Sequence, residues 1–91
     1  MKEIAIITGA SSGIGYELAV LFAQDKKDIL IVARDEEKLL KIKNSIEDQF
    51  KTKVHVVATD LSKQEGIETI KQAVSANDWV VSELEIGRAH V

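Results

Sequence analysis

The sequence predicts an α/β protein built on a parallel sheet with flanking helices, and three observations carry that expectation. Short apolar runs alternate with longer stretches of helical periodicity in the order β-α-β-α-β-α, the alternation that builds parallel sheets through right-handed crossovers. The run at 29–33 is unbroken, as in a parallel strand covered on both faces, and lies beyond a shorter apolar run at 4–7. A glycine-rich turn, Thr8-Gly9-Ala10-Ser11-Ser12-Gly13-Ile14-Gly15, joins the first run directly to a helical pattern.

The first strand is Ile4-Ala5-Ile6-Ile7. Beyond the turn, Ile14, Leu18, Leu21 and Phe22 recur at helical spacing with Ala19 and Ala23 beside them, which predicts a helix to about Gln24 with this stripe packed on the sheet. Tyr16 reads as a helix-surface aromatic. Asp25-Lys26-Lys27-Asp28 is a polar turn, and Ile29-Leu30-Ile31-Val32-Ala33 is a second strand lying beside the first. Asp35-Glu36-Glu37 starts a second helix with acids at its positive end, and Leu39, Ile42, Ile46 and Phe50 mark its buried stripe. Lys51-Thr52-Lys53 links it to the β-branched third strand, Val54-His55-Val56-Val57-Ala58, in which His55 is a strand residue and not a base. Ser62 and Glu65 have capping-box spacing, and Ile67, Ile70 and Val74 give a third helix, to about Val74, its apolar face. Gly66 is its expected weak point. Val80 and Val81 open a fourth apolar stretch whose pattern is not sustained.

Ninety-one residues, 45% hydrophobic and 30% charged, bound one small domain of ordinary globular composition. A net charge of −3, with lysines interleaved among acids and few aromatics, implies neither nucleic acid nor an anionic membrane as partner. With no cysteine, and with His55 and His90 outside any ligand spacing, neither a disulfide framework nor a metal site is expected. The run after Met1-Lys2-Glu3 is too short for a signal-peptide core or a membrane span, so the cytoplasm is the default setting.

The turn carries the chemistry. A phosphate group needs backbone N–H donors, and the first turn of a helix supplies them with the positive end of its dipole. Gly9 permits the sharp exit from the strand, Gly13 lets a pyrophosphate lie against bare backbone, and Gly15 lets the helix pack closely. The spacing is G-x-x-x-G-x-G without a G-K-[ST] ending, which excludes a P-loop.

With Thr8 in front, this octet resembles the T-G-x-x-x-G-x-G cofactor loop of the short-chain dehydrogenase/reductase family. The resemblance implies a partial Rossmann fold with strand order 3-2-1-4. It also implies a dinucleotide held by Thr8, Gly9, Ser11, Ser12, Gly13, Ile14 and Gly15 at the carboxyl ends of the strands. Ala33 stands where NAD-preferring members carry an acid, and Arg34 where NADP-preferring members carry a base. A guanidinium suits a 2′-phosphate, so NADP is the expected cofactor, with Asp35 one position later leaving NAD open. Asp60-Leu61 is similar to the family's Asp-[Leu/Val] pair, whose aspartate accepts from the adenine amino group; a plain turn or helix-entry role is the alternative.

Family reductases move a hydride from the nicotinamide to a carbonyl while the tyrosine of a Tyr-x-x-x-Lys supplies the proton. The one tyrosine here, Tyr16, is followed four positions on by Val20, so no catalytic residue is assigned. The resemblance covers residues 1–84, the opening third of a family domain. Where the family has Asn-Asn-Ala-Gly, this chain reads Glu85-Ile86-Gly87-Arg88-Ala89-His90-Val91. That heptad can be back-translated as GAG ATC GGA AGA GCA CAC GTC, which from its second base onward is the string of a widely used sequencing adapter, and 85–91 is read as a library artefact. The expectation is therefore the NADP-binding segment of a homo-oligomeric oxidoreductase acting on a carbonyl or alcohol, itself not catalytic, with one sheet edge and much of one face bare. The alternatives are a short non-catalytic dinucleotide-binding module and, less consistent with Arg34 and Asp60, a flavodoxin-like mononucleotide binder.

Overall fold

The computed structural model describes residues 2–10 and 13–86. Along the chain run β1 (Lys2–Thr8), α1 (Gly13–Gln24), β2 (Asp28–Ala33), α2 (Glu36–Phe50), β3 (Val54–Ala58), α3 (Gln64–Ala76) and β4 (Trp79–Ile86). All strand pairs are parallel and the sheet order is β3-β2-β1-β4, as the sequence predicts. The chain steps outward from β1 through β2 to β3. The crossover through α3 then carries it back to the far side of β1.

The unbroken apolar runs occupy the two central strands. Ile4, Ile7, Ile29, Leu30, Ile31 and Val32 are fully buried, each contributing about 1.5–3 kcal/mol of burial. One face of the sheet packs Ile7, Ile29, Ile31 and Val54 against Ala19 and Ala23 of α1 and Leu39 and Ile46 of α2. The other face packs Ile4, Ile6, Leu30 and Val32 against Ile70 and Val74 of α3 and Trp79. Edge strand β3 buries only Val54 among its five residues.

Several expectations are corrected here. In α1 the sealed positions are Gly15, Ala19 and Ala23, while Ile14 and Leu21 are 52% and 57% exposed. Small side chains bring the helix axis close to the sheet, so the contact line runs through the alanines, with Leu18 and Phe22 flanking it. Tyr16 is half-buried against this core and is not a surface aromatic. Ser62 does not cap α3. The N-cap position is Lys63, without a side-chain bond, because the Ser62 hydroxyl is committed to Asp60. The fourth stretch is a full strand that passes its polar middle through a register shift opposite Ile4 and Ala5, where the Ser82 hydroxyl donates to the Ile4 carbonyl (3.3 Å).

Polar joints tie these layers together. Lys27 Nζ meets Glu83 Oε1 at 2.6 Å, linking the α1–β2 turn to β4, and that hydrogen bond raises the lysine pKa. Glu47 of α2 accepts the Val54 N–H at 2.9 Å, a bond that, with Lys43 beside it, holds its carboxyl below the ordinary range. The His55 ring lies 4.6 Å from that of Trp79, beneath α3. Its Nε2 is buried with no hydrogen-bond partner among the described residues, and burial pushes its pKa down against the opposing pull of Asp28.

Candidate functional site

The carboxyl end of β1 delivers the glycine turn to the middle of the sheet edge. Thr8 pairs with Val32 on one side and Ile86 on the other, and its hydroxyl donates to the Glu85 carbonyl (3.4 Å). Gly9 follows at φ 65°, a left-handed conformation that glycine adopts without a Cβ penalty. The chain then bends over the end of β2, where the Ala10 N–H donates to the Val32 carbonyl (3.2 Å).

The two glycines of α1 have opposite surroundings. A Cβ on Gly15 would collide with the Gly9 carbonyl oxygen and come within 2.6 Å of the Ala10 Cα, so the third residue of the helix is pressed onto the loop before it. A Cβ on Gly13 would meet nothing within 4 Å among the described residues. Among the described residues the helix thus begins with room beside Gly13, and its first turn carries no acidic side chain to compete with an anion for the positive end of the dipole. Ile14 is exposed at the same rim. Ser11 and Ser12, also expected at the site, lie outside the described residues.

Arg34 and Asp60 come to the same edge because β2 and β3 end together. Ala33 pairs with Ala58, and the Ala33 carbonyl accepts the Thr59 N–H (2.9 Å). Arg34 is exposed immediately beyond. Asp35 is engaged elsewhere, as the N-cap of α2, where its Oδ1 accepts the Lys38 N–H (3.2 Å). Asp60 accepts from both the hydroxyl (2.7 Å) and the N–H (2.9 Å) of Ser62. These bonds, followed by the charges of Arg34 and Lys63, hold its carboxyl below the usual aspartate range. Leu61 turns inward and packs on the α3 face.

Gly66, expected to weaken α3, has a different place at this edge. It is buried, and a Cβ there would collide with the Asp60 carbonyl oxygen and lie 2.7 Å from its carbon. It is a point of close approach, not a weak point. The sequence carries a signal for this in its spacing: Gly66 stands six positions after Asp60, as Gly15 stands six after Gly9.

Glu85 and Ile86, the first residues of the stretch expected to be an artefact, pair with Ile7 and Thr8; residues 87–91 lie outside the described residues.

A parallel sheet whose chain reverses direction across β1, with a glycine turn at that reversal, defines a Rossmann-like nucleotide-binding unit. The family model for short chain dehydrogenase matches residues 3–81, and the chain belongs to that family, whose cofactors are nicotinamide dinucleotides. It is 33% identical over 88 residues to the very-long-chain 3-oxoacyl-CoA reductase of Kluyveromyces lactis, with 94% of this chain and 25% of that protein covered. An uncharacterised oxidoreductase of Staphylococcus epidermidis is 36% identical over 73 residues, covering 80% of this chain and 30% of that one. The crystal structure of L-sorbose reductase from Gluconobacter frateurii, complexed with NADPH and L-sorbose, superposes with a TM-score of 0.88 at 31% identity. That match covers 99% of this chain and 34% of the sorbose reductase. The chain thus spans a quarter to a third of the length of these relatives and corresponds to their amino-terminal portion.

Proposed function

We propose that the chain holds a nicotinamide dinucleotide across the carboxyl edge of the sheet, NADP in preference to NAD, as the cofactor-binding part of a reductase acting on a carbonyl or alcohol. The observation that carries the reading is the contrast within the glycine turn. Gly9 at positive φ and Gly15 against the loop fix the backbone, while among the described residues nothing crowds Gly13, where a pyrophosphate would lie. In this reading Thr8 and Gly9 through Gly15, with Ser11, Ser12 and Ile14, surround the phosphates.

Arg34 faces the 2′-phosphate of the adenosine ribose, and Asp60 and Leu61 border the adenine. Asp35 supports NADP by its engagement: a carboxylate occupied in capping α2 is less available to ribose hydroxyls, whereas Arg34 beside it is exposed. The cofactor, when bound, would supply a hydride for a carbonyl carbon. This chain's residues contribute binding and orientation. Tyr16 is followed at the fourth position by Val20, so a Tyr-x-x-x-Lys proton donor is not part of these 91 residues.

The test is a titration of NADPH and NADH against the chain and its Arg34→Ala variant. The variant should bind NADPH about tenfold more weakly, the scale of one lost charge-assisted hydrogen bond, with NADH little changed. Equal losses for both cofactors would overturn the 2′-phosphate assignment, and tighter binding of FMN than of NADPH would overturn the dinucleotide reading itself.

A further inference from the structure

Resting on that reading, we propose that Ser62 and Gly66 are positioning residues for Asp60, fixing the carboxylate that meets the adenine end of the dinucleotide. Two independent restraints converge on this one residue. The first acts on its side chain. Both bonds from Ser62, from the N–H at 2.9 Å and from the hydroxyl at 2.7 Å, fall on Oδ1, and together they fix the carboxylate's rotation through one of its two oxygens. The second acts on its backbone. The Asp60 carbonyl accepts the Lys63 N–H (3.2 Å), and the Lys63 carbonyl in turn accepts the Gly66 N–H (3.1 Å). The first turn of α3 then presses on that carbonyl at Gly66, where a Cβ would collide with the Asp60 oxygen and sit 3.2 Å from the Leu61 nitrogen. These are main-chain atoms, so a side chain at 66 displaces either the turn or the helix.

The same device stands at the other cofactor-facing helix. Gly15 is the third residue of α1 and meets the Gly9 carbonyl; Gly66 is the third residue of α3 and meets the Asp60 carbonyl. The remaining helix, α2, has Lys38 at its third position and starts instead on the Asp35 cap. Close backbone approach is therefore found where a loop is to be held for a ligand. Ser62, spent on Asp60, is absent from the cap that its spacing with Glu65 suggests. A carboxylate held before the ligand arrives loses less rotational freedom on binding.

The experiment is NADPH binding to the full chain, read by fluorescence titration, for Ser62→Ala and Gly66→Ala in two backgrounds, wild type and Asp60→Ala. Each variant should weaken NADPH about five- to tenfold when Asp60 is present, as expected for losing one hydrogen bond's worth of preorganisation. Ser62→Ala should not weaken it further when Asp60 is already alanine, because its hydroxyl acts only through the carboxylate it positions, and Gly66→Ala, which meets main-chain atoms that remain, should weaken it less than in the wild type. Ser62→Thr, which keeps the hydroxyl, should restore most of the affinity. Losses as large in the Asp60→Ala background as in the wild type, for either variant, or none in the wild type, would overturn the proposal. Should Gly66→Ala fail to fold, the Ser62 pair decides by the same criterion. Wild-type chain that ignores millimolar NADPH would instead overturn the dinucleotide reading and this inference with it; binding without coupling to Asp60 overturns the inference alone.

Discussion

On the side of α1 and α2, the strand residues Ile7, Ile29 and Ile31 and the helix residues Leu39 and Ile46 are all sealed from solvent. On the side of α3 the sealed set is Ile4, Ile6, Leu30 and Val32, and Val81 and Leu84 of β4 are 41% and 62% exposed. The difference is one of width. Four strands about 4.8 Å apart make a sheet roughly 14 Å across between its outer axes, and a helix with its side chains covers about 10 Å. Two helices span that width and one does not. Beside α3 an apolar groove of about 680 Å³ therefore runs along β4, lined by Leu61, Ile67, Ile70, Val74, Val81 and Leu84.

The largest effect should come from the doubly covered side. Ile46→Ala is expected to cost about 2–5 kcal/mol, because a fully buried side chain leaves a cavity there, whereas Leu84→Ala on the groove should stay within about 1 kcal/mol. Urea denaturation of the two variants measures this directly. Equal losses would mean that β4 is as well packed as the core of the opposite face.

A smaller and sharper contrast lies within the glycine turn. Gly15→Ala forces a Cβ into the Gly9 carbonyl and should cost about 1–3 kcal/mol of stability through overpacking. Gly13→Ala enters open space, should change stability by less than about 1 kcal/mol, and should still weaken NADPH about tenfold by occupying the pyrophosphate's place. Unchanged NADPH affinity in Gly13→Ala would remove the phosphate from that spot.

The smallest expected effect is a slope with pH. His55 on the α3 face has a pKa held below 6.5 in the fold, so it is neutral there and gains a proton more easily when unfolded. Its contribution is complete above pH 6.5 and is lost as pH falls from 6.5 toward the lowered value. Glu47 on the opposite side is depressed from 4.5, so its contribution is present above 4.5 and declines only as pH falls below that. His55→Phe, which keeps a ring against Trp79, should flatten the dependence just below pH 6.5 and leave the acid limb intact. A slope that survives the substitution would assign it to another group.

The central strands were legible because unbroken apolar runs have few structural solutions, and Ile4 through Ile7 and Ile29 through Val32 found the central one, while the strand order followed from the family resemblance of the glycine turn. The glycine turn was legible because its three glycines are punctuation of known spacing. What escaped were choices made in three dimensions. Ile14 and Leu21 fit the helical period as well as Ala19 and Ala23 do, and only the close approach of helix to sheet selects the alanines. Ser62 had two acceptable partners along the chain, the start of α3 and Asp60, and the turn geometry decided for Asp60. Gly66 looked like a defect because helix propensity is a local quantity, while the carbonyl it accommodates belongs to the preceding loop.

Trp79 and Tyr16, the chain's single tryptophan and single tyrosine, stand on opposite faces of the sheet. Each face thus carries its own optical label, with indole emission following the half-covered side and phenol absorbance the doubly covered one. If the sheet melts as a unit, both signals share one midpoint. If the α3 side loosens first, Trp79 will report it while the environment of Tyr16 is still native, and the depth of cover on each face becomes a spectroscopic quantity.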